Sequence, residues 1–346
     1  MAGLSLKIRL LAFFVAVSWA YDMEAWLRSV NIPIPTEDPS VAVNSVGSIP
    51  TIGILTMPTD EDHRMFGTSY IVASYVKWIE MAGGRVVRIP YDAPLDERRR
   101  LFNSVQGVLI QGGASNLITS FTPYYNSVRQ LFEWVLEAHE KGDEVPLWGT
   151  CLGFEQLCIL ASHDHFSALG NFNAENITLP LYFTPAAVRS RLFGKAPRDV
   201  LDTLATQPVT VNYHHNGISP NSASVSSPAP ADYPYLQQFF EVLSVNRDRD
   251  GVPFVSTVEA RNGVPVWGVQ WHPERAIFEH HPEEDDVLDM AGVAANQYLA
   301  NFLVEQARRN GHQFADPDQE RAAMMANWAP RFMEADEIVA QVYYWP

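Results

Sequence analysis

From residue 51 to residue 161, short β-rich runs alternate with stretches of helical spacing, and that rhythm constrains the fold more than any other feature. Residues 51–57 (TIGILTM), 85–89 (RVVRI), 107–111 (GVLIQ) and 146–149 (PLWG) read as strands. Residues 67–82, 95–104, 128–139 and 152–161 read as helices, the first through Ile71, Tyr75, Trp78 and Ile79. Such strand–helix–strand units are right-handed and lay their strands in parallel, with helices over both faces. The expectation is an α/β fold with a mainly parallel central sheet flanked by helices.

Beyond residue 165 the rhythm loosens into elaborated loops. Strand candidates fall at 208–212, 242–245, 254–260 and 264–270, and residues 291–309 carry an amphipathic helical pattern. Residues 219–235, rich in Ser, Pro and Asn, and the acidic stretch 279–289 read as exposed loops. One domain over residues 50–312 is expected, preceded by a lead-in at 21–49 and followed by a C-terminal extension at 313–346.

The N-terminus reads as an address. Lys7 and Arg9 precede an apolar run at 10–17 (LLAFFVAV), and Ser18-Trp19-Ala20 places small residues at a cleavage site. This is the pattern of a secretory signal peptide spanning residues 1–20. The run falls short of the roughly 20 residues that cross a bilayer, so no stable membrane anchor is expected. An uncleaved anchor or a buried strand is the alternative. The address implies the secretory pathway: an extracellular, lysosomal or vacuolar lumen. Asn176-Ile177-Thr178 forms a glycosylation sequon consistent with that route.

Charge and cysteine content then exclude several functions. Acids outnumber bases 40 to 24, a net charge of −16 that becomes −18 once Lys7 and Arg9 leave with the signal. Nucleic-acid binding needs clustered Lys and Arg and is not expected. Cys151 and Cys158 are the two cysteines, too few for a disulfide scaffold or a Cys-rich zinc site. On a helix they stand about 10 Å apart, too far to bridge, which leaves a thiol for chemistry.

Gly149-Thr150-Cys151-Leu152-Gly153 falls where a buried strand should end and a helix begin. A nucleophile between two such glycines is a nucleophile elbow, a sharp turn that stands the side chain out. The helix start favours the thiolate, and the Leu152 N–H can face a developing oxyanion. A buried cysteine in a tight turn is the alternative. Gln111-Gly112-Gly113 ends another strand, so either glycine is a candidate second oxyanion donor. His272 closes the strand pattern of Trp267-Gly268-Val269-Gln270-Trp271, and Glu274 two residues on can orient its ring. Cys151, His272 and Glu274 make a complete thiol triad. The adjacent His214 and His215 point apart on a strand, so no metal site is expected there.

The segments Gly-Thr-Cys-Leu-Gly-Phe-Glu (149–155) and Val-Gln-Trp-His-Pro-Glu (269–274) resemble the class I glutamine-amidotransferase-like superfamily. Within it they are most similar to the γ-glutamyl hydrolases of folate poly-γ-glutamates. Residues 73–77, 82–87, 111–113 and 301–314 share the likeness, which covers roughly residues 50–315. The resemblance implies Cys151 as nucleophile, His272 as general acid/base, Glu274 as supporting carboxylate, and Leu152 and Gly113 as oxyanion amides. It implies a small anionic substrate, folate poly-γ-glutamate, and a γ-glutamyl thioester intermediate, with no cofactor and no metal. It is compatible with a homodimer. Gly112, Glu155 and His214 are candidate substrate contacts, and Arg64 and Arg275 are candidate positive charges for the anion. Glutaminases carry Gln where this chain has Glu155. Gln111 and the acidic stretch 279–289 depart from the family pattern. Two other functions remain open: a glutaminase supplying ammonia to a synthetase, and an inactive secreted binding protein on the same scaffold.

Overall fold

The computed structural model describes residues 49–113, 122–223, 233–279, 289–333 and 339–346. The expected signal segment, nearly all of the lead-in and the acidic stretch 280–288 lie outside the described residues.

Strand β1 (Thr51–Leu55) is followed by β2 (Met57–Pro58), then by β3 (Ser69–Val72), which runs straight into helix α1 (Ala73–Met81). The alternation continues through β4 (Arg85–Ile89), α2 (Leu95–Phe102), β5 (Gly107–Ile110), α3 (Pro123–Glu140), β6 (Leu147–Thr150) and α4 (Leu152–Ala161). Next come β7 (Leu169–Leu179), β8 (Tyr182–Phe183), α5 (Arg198–Thr206), β9 (Thr210–Ile218), α6 (Pro220–Ala223) and α7 (Pro234–Phe239). The chain closes with β10 (Phe240–Arg247), β11 (Pro253–Ala260), β12 (Val266–Val269), α8 (Arg275–Phe278), α9 (Met290–Ala307), α10 (Pro317–Ala323), β13 (Arg331–Phe332) and β14 (Gln341–Trp345).

Eight strands form the central sheet in the order β4-β1-β5-β6-β12-β11-β10-β8. The first five run parallel, and β11, β10 and β8 add an antiparallel edge. The parallel strands read as unbroken apolar runs because helices cover both of their faces. Val128, Leu131 and Leu157 of α3 and α4 pack on one face. Trp78, Leu204, Leu299 and Leu303 of α1, α5 and α9 pack on the other. The mainly parallel α/β architecture read from the sequence is therefore what the chain adopts.

The pairing of β6 with β12 matters most for function. Trp148 lies beside Trp267, Gly149 beside Gly268 and Thr150 beside Val269. The next residue, Cys151, donates its backbone N–H to the Val269 carbonyl at 2.8 Å. Both strands thus end side by side, and the segments leaving them emerge together at the carboxyl edge, where open α/β sheets bind ligands.

Gly153 explains how closely α4 can dock under this edge. A Cβ there would lie 2.3 Å from the Ile110 carbonyl oxygen of β5. The neighbour is backbone and cannot swing aside. Gly153→Ala is expected to destabilise the fold by about 3 kcal/mol, lowering the thermal midpoint by roughly 5 °C or more in a scanning calorimeter. An unchanged midpoint would mean that the helix and strand are not in contact at this point.

Four expectations are corrected. The helix expected over 67–82 begins only at Ala73. Its first residues are strand β3, paired with β14 on one side and β2 on the other, with Ile71 opposite Tyr343 and Ser69 opposite Trp345. Local spacing cannot register a partner roughly 270 residues away. Strand β7 was not expected from the sequence. Its buried Phe172 and Ala174 alternate with exposed Asn171, Asn173 and Glu175, and that polar face disguised an 11-residue strand. The stretch 219–235 contains helix α6 at its start and enters α7 at its end, with 224–232 outside the described residues. Glu279, expected on an exposed loop, is buried and accepts the Ala340 N–H at 2.6 Å.

Candidate active site

Three strand ends converge on one cleft of about 380 Å³. The turn after β6 brings Cys151, the turn after β5 brings Gly112 and Gly113, and the segment after β12 brings His272 and Glu274. All five line the cleft. The triad expected from the sequence therefore meets in space, although Cys151 and His272 are 121 positions apart.

Cys151 is held at φ 50° and ψ −108°, immediately before the first turn of α4. A non-glycine residue with this backbone is strained by about 1–3 kcal/mol, and such strain persists where packing over-determines the turn. The flanking glycines permit it. A Cβ on Gly149 would lie 2.8 Å from the Gly153 carbonyl. The thiol points toward the Tyr213 carbonyl oxygen, 3.9 Å from Sγ.

The electrostatics differ from the low-pKa thiolate that the sequence suggested. Burial pushes the Cys151 thiol well up, and the neighbouring Glu155 adds to that; the Leu152 N–H pulls the other way. Desolvation outweighs the helix start because the charged form gives up more hydration than one amide restores. The resting Cys151 thiol is thus a neutral S–H. Glu155 itself is fully buried, which lifts its carboxyl to about 8, while the Gln270 amide donates to Oε1 at 2.9 Å and restrains the shift.

The His272 ring is held by a buried carboxylate. His272 Nδ1 is 2.7 Å from Glu274 Oε1, with Glu274 only 2% exposed. A buried carboxylate accepts, so Nδ1 carries the hydrogen and Nε2 is the basic nitrogen. A Cβ placed on Gly112 would lie 2.8 Å from His272 Cε1 and 3.1 Å from Cys151 Cβ. The imidazole and the thiol-bearing carbon thus flank a single glycine.

The remaining candidates separate clearly. His214 is buried on the cleft wall, with its Nδ1 2.7 Å from the Asn216 carbonyl oxygen. Burial lowers it to about 4, so it is a neutral hydrogen-bonding group across ordinary pH. Its neighbour His215 is exposed and pairs with Glu175, as expected for adjacent residues on a strand. Arg275 is buried, lies over the Tyr213 ring at 5.1 Å, and lines the cleft. Among the described residues it is the one arginine or lysine on that wall. Arg64 does not line the cleft; it is exposed on the turn between β2 and β3, whose Asp60 and His63 reach the wall instead. Asn176 is exposed on β7, away from the chemistry.

Three kinds of contributor carry no signal of their role in the sequence, although residues 73–77 and 269–274 share the family likeness. Tyr75 and Gln270 read as apolar-face and strand residues, and nothing in their spacing marks them. Tyr213 acts through its backbone carbonyl, which no side-chain pattern reveals. Met333, Val339, Val342 and Tyr344 reach the cleft from the far end of the chain.

The fold and the cleft together define a cysteine hydrolase on an amidotransferase-like α/β scaffold. The family model described as Peptidase C26 matches residues 50–274. Among curated relatives, gamma-glutamyl hydrolase B of Dictyostelium discoideum is 34% identical over 302 residues, 87% of this chain and 84% of its own. The gamma-glutamyl hydrolase of Mus musculus is 37% identical over 281 residues, covering 81% of this chain and 84% of its own. That of Homo sapiens is 34% identical over 282 residues, covering 81% and 85%. The chain belongs to the Peptidase C26 family.

Proposed function

We propose that the protein hydrolyses γ-glutamyl bonds, with folyl and antifolyl poly-γ-glutamates as its substrate class, through a γ-glutamyl thioester on Cys151. The observation that carries this reading is the convergence of Cys151, the His272–Glu274 pair and Gly112-Gly113 on one cleft. The relatives' names supply the bond type.

His272 Nε2 takes the Cys151 proton as sulfur attacks the γ-carbonyl carbon. The carbonyl π-pair moves to oxygen, where the Leu152 and Gly113 N–H groups hold the oxyanion. As the oxyanion collapses, the C–N bond breaks and His272 returns the proton to the leaving amine. Water then attacks the thioester, with His272 as base, and sulfur leaves with the proton. Glu274 stabilises the imidazolium in both halves. The substrate is an anion, and Arg275 places a buried positive charge on the wall of an otherwise acidic protein. Residues 1–20 support a luminal or secreted location for this activity.

The competing glutaminase reading separates cleanly. Incubation with folate pentaglutamate is expected to give shorter folates by mass, and incubation with free glutamine is expected to release no more ammonia than a blank. Intact pentaglutamate after prolonged incubation between pH 4 and 8 would sink the assignment.

A further inference from the structure

Tyr75 sits on α1 at what reads as a core position, and it is 2% exposed. Its hydroxyl nevertheless enters the catalytic centre. The Gly112 N–H donates to that oxygen at 2.8 Å, and His272 Nδ1 is 3.3 Å from it. Burial, followed by the charges of Glu274 and Cys151, pushes the phenol's ionisation well up, so it stays an O–H. A neutral phenol accepts and donates at once. Here it accepts from Gly112 and turns its own hydrogen toward the Glu274 carboxylate, since His272 Nδ1 already carries one.

The arrangement decides which glycine amide serves the substrate. Gly112 N–H is committed to Tyr75, so the Gly113 N–H, next along the chain, is the one left to face the reacting carbonyl. The Gly112 peptide is also confined laterally. A Cβ there would meet Tyr75 Oη at 2.8 Å, with the His272 ring and Cys151 on its other sides.

We propose that Tyr75 is a positioning residue whose hydroxyl clamps the Gly112 amide and thereby holds the Gly113 N–H at the oxyanion position opposite Leu152. This rests on the reading of Cys151 as an acyl-forming nucleophile. Displacing a catalytic group by about 1 Å costs on the order of 10²-fold in rate. Released from the clamp, the glycine turn would lose that alignment.

The test compares two reactions of the same sulfur in Tyr75→Phe. Hydrolysis of γ-linked diglutamate builds an oxyanion, whereas alkylation of Cys151 by iodoacetamide builds none. The variant is expected to lose about 10²-fold in kcat, with KM and the alkylation rate each within about threefold of wild type. A kcat within threefold of wild type overturns the proposal. So does a parallel loss of alkylation, which would show that Tyr75 acts on the thiol or its base. If Tyr75→Phe fails to fold, 3-fluorotyrosine at position 75 keeps the hydroxyl but weakens it as an acceptor. A fall of about threefold in kcat with unchanged alkylation supports the clamp, and unchanged kcat overturns it. Wild-type turnover, measured alongside, tests the thioester reading separately.

Discussion

Cys151→Ala is expected to remove turnover of γ-glutamyl substrates by on the order of 10⁴-fold or more, about 5.5 kcal/mol of transition-state stabilisation. No other thiol can substitute. Cys158 is buried two turns along α4, among the core side chains under the sheet. The loss should fall on chemistry and not on binding, because the cleft wall formed by Tyr213, His214 and Arg275 is untouched. Alanine keeps the strained backbone and removes a single buried atom, so the thermal midpoint should move by little. Initial rates with calorimetric titration of folate pentaglutamate check both parts. Residual turnover above about 1% of wild type would remove Cys151 from the nucleophile role.

His272→Gln is expected to cost about 10³- to 10⁴-fold in kcat, because it deletes the base and leaves an amide that can still donate to Glu274. Its pH profile is the sharper readout. With the thiol pushed up by burial and no base to take its proton, the residual rate depends on spontaneous ionisation. The thiolate fraction below its pKa grows about tenfold per pH unit. Residual activity should therefore climb steadily from pH 5 to pH 9, whereas the wild type should not depend on free thiolate. A variant with a flat profile, or one retaining a tenth of wild-type kcat, would place the base elsewhere.

How much of this was legible in the sequence follows from the range of each interaction. Strand β4 and helix α4 were readable to the residue, because each is specified by its own apolar run and the turn beside it. The meeting of Cys151, His272 and Glu274 in one cleft was readable because glycine placement and a short His–Pro–Glu segment are local signals. The electrostatics were not. The thiol and Glu155 shift through burial, and burial depends on what the sheet and loops bring together. Tyr75 was hidden for a related reason, since a hydroxyl on an apolar helix face declares no partner until β5 places Gly112 against it. Arg64 misled because charge alone was the criterion, and the fold turned that side chain outward while it drew Arg275 in.

The pairing of β14 with β3 also has a consequence for the birth of the molecule. Residues 69–72 leave the ribosome roughly 270 residues before residues 342–345 exist to pair with them. At ordinary translation speeds that interval is roughly 15–50 seconds. Throughout it, β3 carries an open edge directly upstream of the helix that bears Tyr75, a template for pairing with the wrong chain. Cys151, His272, Glu274 and the glycine turn are all synthesised first, but Val342 and Tyr344 arrive late to complete the cleft wall. From the synthesis of Glu274 to that of Val342 the nascent chain carries Cys151, His272 and Glu274 while this part of the cleft wall does not yet exist.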